Sequence, residues 1–234
     1  MSTVPRQTVG ATAYWLSTET TSITEGNQTF AQVALTPRTV GAYTQISRLL
    51  QLQSSPDAEA IILTDIAKEV AIAADKAVLT GTGTEQPTGI LNTVGIGTFT
   101  GGSLDTAALL NAQVDVATAN ALTKTCGYVT TSAVAGLLMA RQRFAGPTGD
   151  PLWQGGVLDG TILGMRAMSS EQCPADSMIF GDWSQVVVGE WGVLELTVNP
   201  FDDFAKGLTG LRAMYTMDVA LRHAGAFSVA TSIT

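Results

Sequence analysis

The sequence predicts an α+β chain, and three observations carry that expectation. Residues 55–81 read as one long amphipathic helix. Residues 9–16, 30–35, 40–46, 193–198 and 211–221 alternate apolar and polar side chains as strands do. Between them, a short strand at residues 126–130 lies between two helical stretches, the order of a mixed layer of helices and sheet.

Taken in order, residues 1–8 contain Pro5 and carry no helical pattern. Residues 9–16, VGATAYWL, predict a strand with Trp15 on one face. Residues 17–27 are polar and end in a Gly-Asn turn signal, and strand-like alternation resumes over 30–35 and 40–46 with Pro37 as an interruption. Together these predict a long two-stranded arm with a polar tip. An isolated ribbon is marginal in water, so such an arm lies on something else: a neighbour, or its own domain as an edge hairpin.

The long helix has a marked start. Ser55 is a good N-cap, Pro56 suits the first helical position, and Asp57 and Glu59 place negative charge at the positive end of the helix dipole. Ile61, Ile62, Ile66, Val70, Ala73, Ala77 and Val78 recur at three- and four-residue spacing, with Asp65, Lys68, Glu69 and Asp75 mostly elsewhere, which predicts one buried and one wet face. Gly81 is the expected left-handed C-cap. At 1.5 Å per residue the rod is roughly 35 Å long. A Gly/Thr-rich turn follows, Gly81-Thr82-Gly83-Thr84, and then Pro87-x-Gly-Ile-Leu91.

Residues 92–102 carry four glycines and mark a domain boundary. A second helix is expected over 104–122, opening at Ser103 with Asp105 and Thr106 in its first turn and Leu109, Leu110, Val114 and Val116 in register. After the strand at 126–130, Ser132 caps a third helix reaching about Arg143. Residues 144–156, including Phe144, Asp150 and Trp153, read as a loop, and strands are expected at 162–169, 178–180 and 186–189. Residues 193–198 and 211–221 predict a long hairpin whose loop, 199–207, carries Asp202, Asp203 and Lys206. Residues 226–233 read as a last strand.

The totals bound the function classes. A chain of 234 residues forms one large or two modest domains. Only 14% of its residues are charged and 45% are hydrophobic, which suits a protein that hides much of its surface in contacts, although ordinary soluble proteins share the profile. A net charge of -8 with twelve Lys plus Arg, and no basic stripe, argues against a nucleic-acid grip. Cys126 and Cys173 lie far apart without metal-like spacing and are expected as reduced, buried thiols. The N-terminus lacks the apolar core of a secretion signal, and residues 133–140, the most apolar run, fall far short of the roughly 20 needed for a membrane span. The expectation is a soluble protein made in a cytoplasm.

No catalytic constellation emerges. His223 is the single histidine, without a placed nucleophile, and reads as an ordinary core or surface residue. One His and two separated Cys cannot furnish a four-ligand metal site, so no metal or other cofactor is expected. The Gly81 to Thr84 turn follows a helix instead of preceding one and lacks the Lys-Ser/Thr end of a phosphate-binding loop. Asp202 and Asp203 read as solvated loop carboxylates, and Trp183 and Trp191 as core or interface anchors.

The helix with Asp75 and Leu79 near its end, the Gly81 to Thr84 turn and the Pro87 to Leu91 segment resemble the tailed-phage major capsid proteins of the Hong Kong 97 type. The resemblance extends to Arg6-Gln7-Thr8, to residues 15–30 and to the downstream order of segments, so it covers nearly the whole chain. It implies a Hong Kong 97-like capsid fold in which the long helix is the spine. The peripheral domain would start at 1–12, the extended arm cover 13–35, and the peripheral domain resume over 36–102 with the spine at 56–80. The axial domain would occupy 103–192, the peripheral hairpin 193–223, and the final strand 224–234 would return to the axial domain.

The function implied is that of a structural subunit, not an enzyme, self-assembling into pentamers and hexamers of an icosahedral shell that encloses DNA without sequence-specific contacts. Portal and scaffold proteins of the same virus are the implied partners, with no membrane, and the virion, assembled in the host cytoplasm, the implied location. Arm residues Trp15, Glu19, Glu25 and Phe30, three-fold-loop residues Asp202, Asp203 and Lys206, and axial-loop residues Phe144, Asp150 and Trp153 are the implied contacts. Some relatives join an arm Lys to a loop Asn covalently. Residues 13–35 hold no Lys and Gly207 stands where that Asn would align, so no cross-link is expected. The family's N-terminal arm has no counterpart before Arg6, and the expectation is a chain shortened by design. A compartment shell of the encapsulin type and an α/β enzyme with an unrecognised site are the alternatives.

Overall fold

The computed structural model describes residues 2–16, 18, 22, 25–53, 58–144, 149–203 and 205–234. In chain order, β1 (Ser2–Val9) and β2 (Thr29–Leu35) are followed by β3 (Arg38–Ser47), α1 (Arg48–Gln53) and the long helix α2 (Ala58–Thr80). Then come β4 (Gly97–Thr98), α3 (Thr106–Thr118), β5 (Cys126–Thr130), α4 (Ser132–Ala140), β6 (Trp153–Gly155), β7 (Asp159–Ile162), β8 (Met165–Ser169) and β9 (Met178–Asp182). The chain closes with β10 (Val186–Glu190), β11 (Glu195–Asp203), β12 (Leu208–Leu221) and β13 (Phe227–Ala230). No described helix is long and apolar enough to cross a membrane.

These strands form three sheets. β1 and β2 make an antiparallel ribbon from Ser2↔Leu35 to Val9↔Thr29, with one irregularity between Gln7 and Val9. The arm is therefore two-stranded as expected, but its first strand is 2–9 and the expected strand at 9–16 is not formed: residues 10–16 have no regular structure. Alternation in VGATAYWL had no partner strand opposite it to stabilise an extended pairing.

The second sheet centres on β12. One edge pairs with β3, from Leu208↔Ser47 to Met217↔Arg38, and the other is shared between β11 and β10. α2 packs across this sheet through Ile66 and Val70 against Ile46, Leu211 and Ala213. Of the apolar positions expected on the buried face, Ile66, Val70 and Ala77 are buried, whereas Ile61 and Ala73 face outward. Ser55, Pro56 and Asp57 lie outside the described residues.

The helix does end at Gly81, but not by a left-handed cap, since positive φ falls at Gly83 (81°) and not at Gly81. Gly81 is needed for close approach: a Cβ there would collide with the carbonyl oxygens of Pro87 and Ala77. The last helical carbonyls are closed from a distance, by Asn92 Nδ2 donating to Thr80 and Gly81 at 3.0 Å each.

The third sheet runs β4-β13-β9-β5-β8-β7-β6 and holds the larger core, where Tyr128, Phe180, Trp153, Phe227, Leu109 and Leu138 are fully buried. α3 starts two residues later than expected, with Asp105 and not Ser103 as N-cap, accepting from Ala108 N at 2.7 Å. Its inward face is Leu109, Ala112 and Val116, leaving Leu110 and Val114 outside. Thr131, not Ser132, caps α4. The single strand expected at 162–169 is a hairpin, β7 and β8, turned by Leu163 and Gly164, both at positive φ as a two-residue turn requires. The hairpin loop expected at 199–207 is shorter, because β11 continues to Asp203. The last strand is also shorter than 226–233. Both cysteines are free and buried, as expected.

Candidate assembly surfaces

The ribbon stands off the body with little of its own surface covered. Along β2 only Leu35, at the base, is buried. Beyond the paired strands Tyr14, Trp15 and Leu16 are exposed, Trp15 completely (102%), and Phe30 and Glu25 are exposed too. Glu19 lies outside the described residues. An indole without a single wall around it in the isolated chain is an unused contact of 150–250 Å².

Asp202, Asp203 and Lys206 are not free loop charges. Asp202 leaves β11, lies above Gly210 of β12, and reaches β3, where Tyr43 Oη and Gln45 Nε2 donate to its carboxylate. The passage exists because residue 210 is glycine: a Cβ there would sit 2.9 Å from Asp202 Cγ. The hydrogen bond from Tyr43, then that from Gln45, hold the Asp202 carboxyl below its usual range, while the same bond to Asp202 raises the Tyr43 hydroxyl. Asp203 pairs with Lys206 at 2.8 Å. The end of this hairpin thus spends its charges on its own geometry and offers Phe201 (72% exposed) outward instead.

At the far end of the third sheet Phe144 is exposed under the Arg143 guanidinium, 5.5 Å above its ring, and Asp150 is exposed while its carbonyl accepts from Arg143 N at 2.7 Å. Trp153 is no loop contact: it begins β6, is fully buried and donates from Nε1 to Gly156 O at 2.8 Å. Trp183 is a core anchor, edge-on to Phe227 at 5.7 Å and donating to Gly127 O. His223 Nε2 lies 3.3 Å from Ala119 O at a short helical turn. Around the Gly81 to Thr84 turn, Arg38 donates to the carbonyls of Gly83 and Thr84, so the turn presents carbonyl oxygen to a cation, the reverse of a phosphate cradle.

Other contact candidates escaped the sequence reading. α1, RLLQLQ, buries no residue and exposes Leu49, Leu50 and Leu52, and α2 exposes Ile61 and Ile72. Val193, Leu196 and Val198 are exposed before and along β11. Three leucines within six residues beside glutamines were the available signal.

A spine helix laid on one sheet, a second sheet with its own core, and a ribbon projecting from their side make up the Hong Kong 97-type capsid fold. The chain belongs to the Phage capsid family, whose profile matches residues 2–232. It is 31% identical over 230 residues to the major capsid protein of Halomonas phage phiHAP-1, covering 97% of this chain and 37% of that relative, so it spans little more than a third of the relative's length. Among solved structures, a chain described as the capsid of the native GTA particle computed with C5 symmetry aligns over 100% of this chain and 85% of that one, at TM-score 0.75 and 21% identity. A chain of Mycobacterium phage Bobi aligns over 98% and 84% at TM-score 0.76 and 13% identity. At these identities the structural likeness concerns the fold.

Proposed function

We propose that the chain is the structural subunit of a phage capsid, assembling into five- and six-membered rings and a closed shell around DNA. The observation that carries this is the unused apolar surface distributed over arm, α1, α2 and hairpin, in a member of a capsid family. One contact of this size is weak, but each subunit offers several. In a ring or shell these add through multivalency, each Å² of apolar burial contributing about 25 cal/mol before ordering costs. The sheet of β4 to β9 and β13 serves as the axial domain and the sheet of β3 and β10 to β12 with α2 as the peripheral domain. The arm lies across a neighbour through Trp15 and Phe30, Phe144 and Asp150 face the ring axis, and Phe201 faces the local three-fold. Portal and scaffold proteins are further partners and the virion is the location, reached from assembly in the host cytoplasm.

Size-exclusion chromatography with light scattering, followed by negative-stain microscopy, tests this reading. Rings of five or six, or shells, are expected, held without covalent bonds and therefore dissolving to single chains on a denaturing gel. A chain that stays monomeric at every concentration, with or without additional N-terminal sequence, contradicts it.

A further inference from the structure

The ribbon is joined to the body through a very small contact. β2 ends at Leu35 and β3 begins at Arg38, so Thr36 and Pro37 are the whole link on that side. The ladder between β3 and β12 stops at Met217↔Arg38, and the next residue of β12, Asp218, pairs on its other side with Gly189 of β10. Where β3 would have continued the ladder, the Asp218 side chain takes over. Its Oδ2 accepts from Thr36 N at 2.6 Å and its Oδ1 from Val219 N at 2.9 Å, and the residue is 7% exposed. A buried carboxylate thus spends both oxygens on backbone N–H groups, one in the arm's link and one in the sheet.

The neighbouring anchor is apolar. Leu35 is buried, and it lies over Gly189 so closely that a Cβ at 189 would be 2.9 Å from Leu35 Cδ1, with the Trp191 ring alongside at 3.4 Å. Next to these two anchors the contact between ribbon and sheet is incomplete. An open cleft of about 440 Å³, lined by Arg6, Gln32, Val33 and Ala34 from the ribbon and by Val219 and Ala220 from β12, separates them. The ribbon itself is held by an antiparallel register from Ser2↔Leu35 to Val9↔Thr29, broken once between Gln7 and Val9. The link from β2 to β3 is two residues long, and the cleft lies open beneath the ribbon beside it.

We propose that Asp218 and Gly189 form a latch on Thr36 and Leu35 that fixes the arm's direction in the unassembled subunit, and that opening this latch lets the ribbon swing as a unit about Thr36 and Pro37. An arm fixed in advance loses less freedom on docking than a loose one. That consequence for assembly rests on the capsid reading; the latch itself does not.

The test uses the unassembled chain at dilution, spin-labelled at Gln28→Cys on the arm and Val94→Cys on the body, the two native thiols being buried. The parent chain should give one narrow distance distribution by pulsed electron resonance and a protected Thr36 amide in hydrogen exchange. Asp218→Ala should broaden the distribution and speed Thr36 exchange by about 10- to 100-fold, while amides of the β3 and β12 ladder keep their protection. An unchanged distribution with intact ladder protection overturns the proposal. Should Asp218→Ala lose the ladder as well, Gly189→Ala decides: it displaces Leu35 and leaves the carboxylate in place, so broadening supports the latch and an unchanged width refutes it. Assembly that is unchanged in a variant whose arm has broadened would count against the capsid reading of the arm, not against the latch.

Discussion

Trp15 can separate the folding of the subunit from the assembly proposed for it. It is fully exposed and stands in a stretch without regular structure, so Trp15→Ala removes nothing that the isolated subunit uses. Its whole side chain is available to a neighbour. About 200 Å² buried at about 25 cal/mol per Å² is a gross gain of about 5 kcal/mol per contact, of which alanine keeps a part and ordering the arm consumes another. A net loss of about 2–3 kcal/mol per contact remains, the size of an interface hot spot and a 30- to 150-fold weaker association constant by the usual conversion. Sedimentation velocity over a dilution series measures the shift, and thermal unfolding of the dilute chain is the control. The expected result is an association midpoint moved to higher concentration by roughly two orders of magnitude, with subunit stability within about 0.5 kcal/mol of the parent. An unmoved midpoint, or a subunit that loses stability, refutes the placement of Trp15 as an outward anchor.

Four further variants test the body. Asp182 is buried and, although burial alone pushes its carboxyl up, hydrogen bonds from Thr125 Oγ1 (2.6 Å), Ser184 N (3.1 Å) and Gln185 Nε2 (3.3 Å) outweigh this and leave it below the usual range. Its contribution is therefore present above the unfolded value of about 3.9 and is lost as pH falls through the depressed folded one; Asp182→Asn should cost about 1–3 kcal/mol in urea unfolding at pH 7, a gap that closes in acid. Gly181→Ala drives a Cβ into the Phe227 ring and to 2.7 Å from Ala226 O, and should cost about 1–3 kcal/mol in the same assay. Lys206→Ala, which breaks an exposed pair, should change subunit stability by less than about 1 kcal/mol, whereas Gly210→Ala evicts Asp202 from its bridge to Tyr43 and Gln45, which two-dimensional NMR of the Tyr43 ring would register.

The spine helix was legible because its evidence is local and redundant: twenty-three residues of helical spacing need no knowledge of what lies opposite. β5 was legible for a similar reason, since a short apolar run between two capped helices has few alternatives. What failed depended on partners distant in sequence. The first arm strand is set by pairing with residues 29–35, so alternation in 9–16 pointed to the wrong stretch. Gly81 looked like a left-handed cap, but its requirement comes from Pro87 passing overhead, and the carbonyls are closed by Asn92. Leu163 at positive φ carries none of the Asn-Gly chemistry that announces a two-residue turn, so the β7 and β8 hairpin read as one strand.

The same distinction explains the contact residues. Exposure cannot be read from hydrophobicity, so Trp153 and Trp15 looked alike in sequence although one is fully buried and the other fully exposed. In an ordinary globular chain both would have turned inward. Here α1 keeps three leucines outside over a six-residue helix, and an apolar element this short gains nothing by itself in water. A second surface, as in the assembly proposed above, would cover these leucines. The glycine at 210 argues the complementary point: the charges at the hairpin end are drawn inward across β12, which leaves Phe201 as the outward feature. The hairpin end thus meets its charges within the chain and leaves an apolar side chain outward, a surface that the assembly proposed above would use.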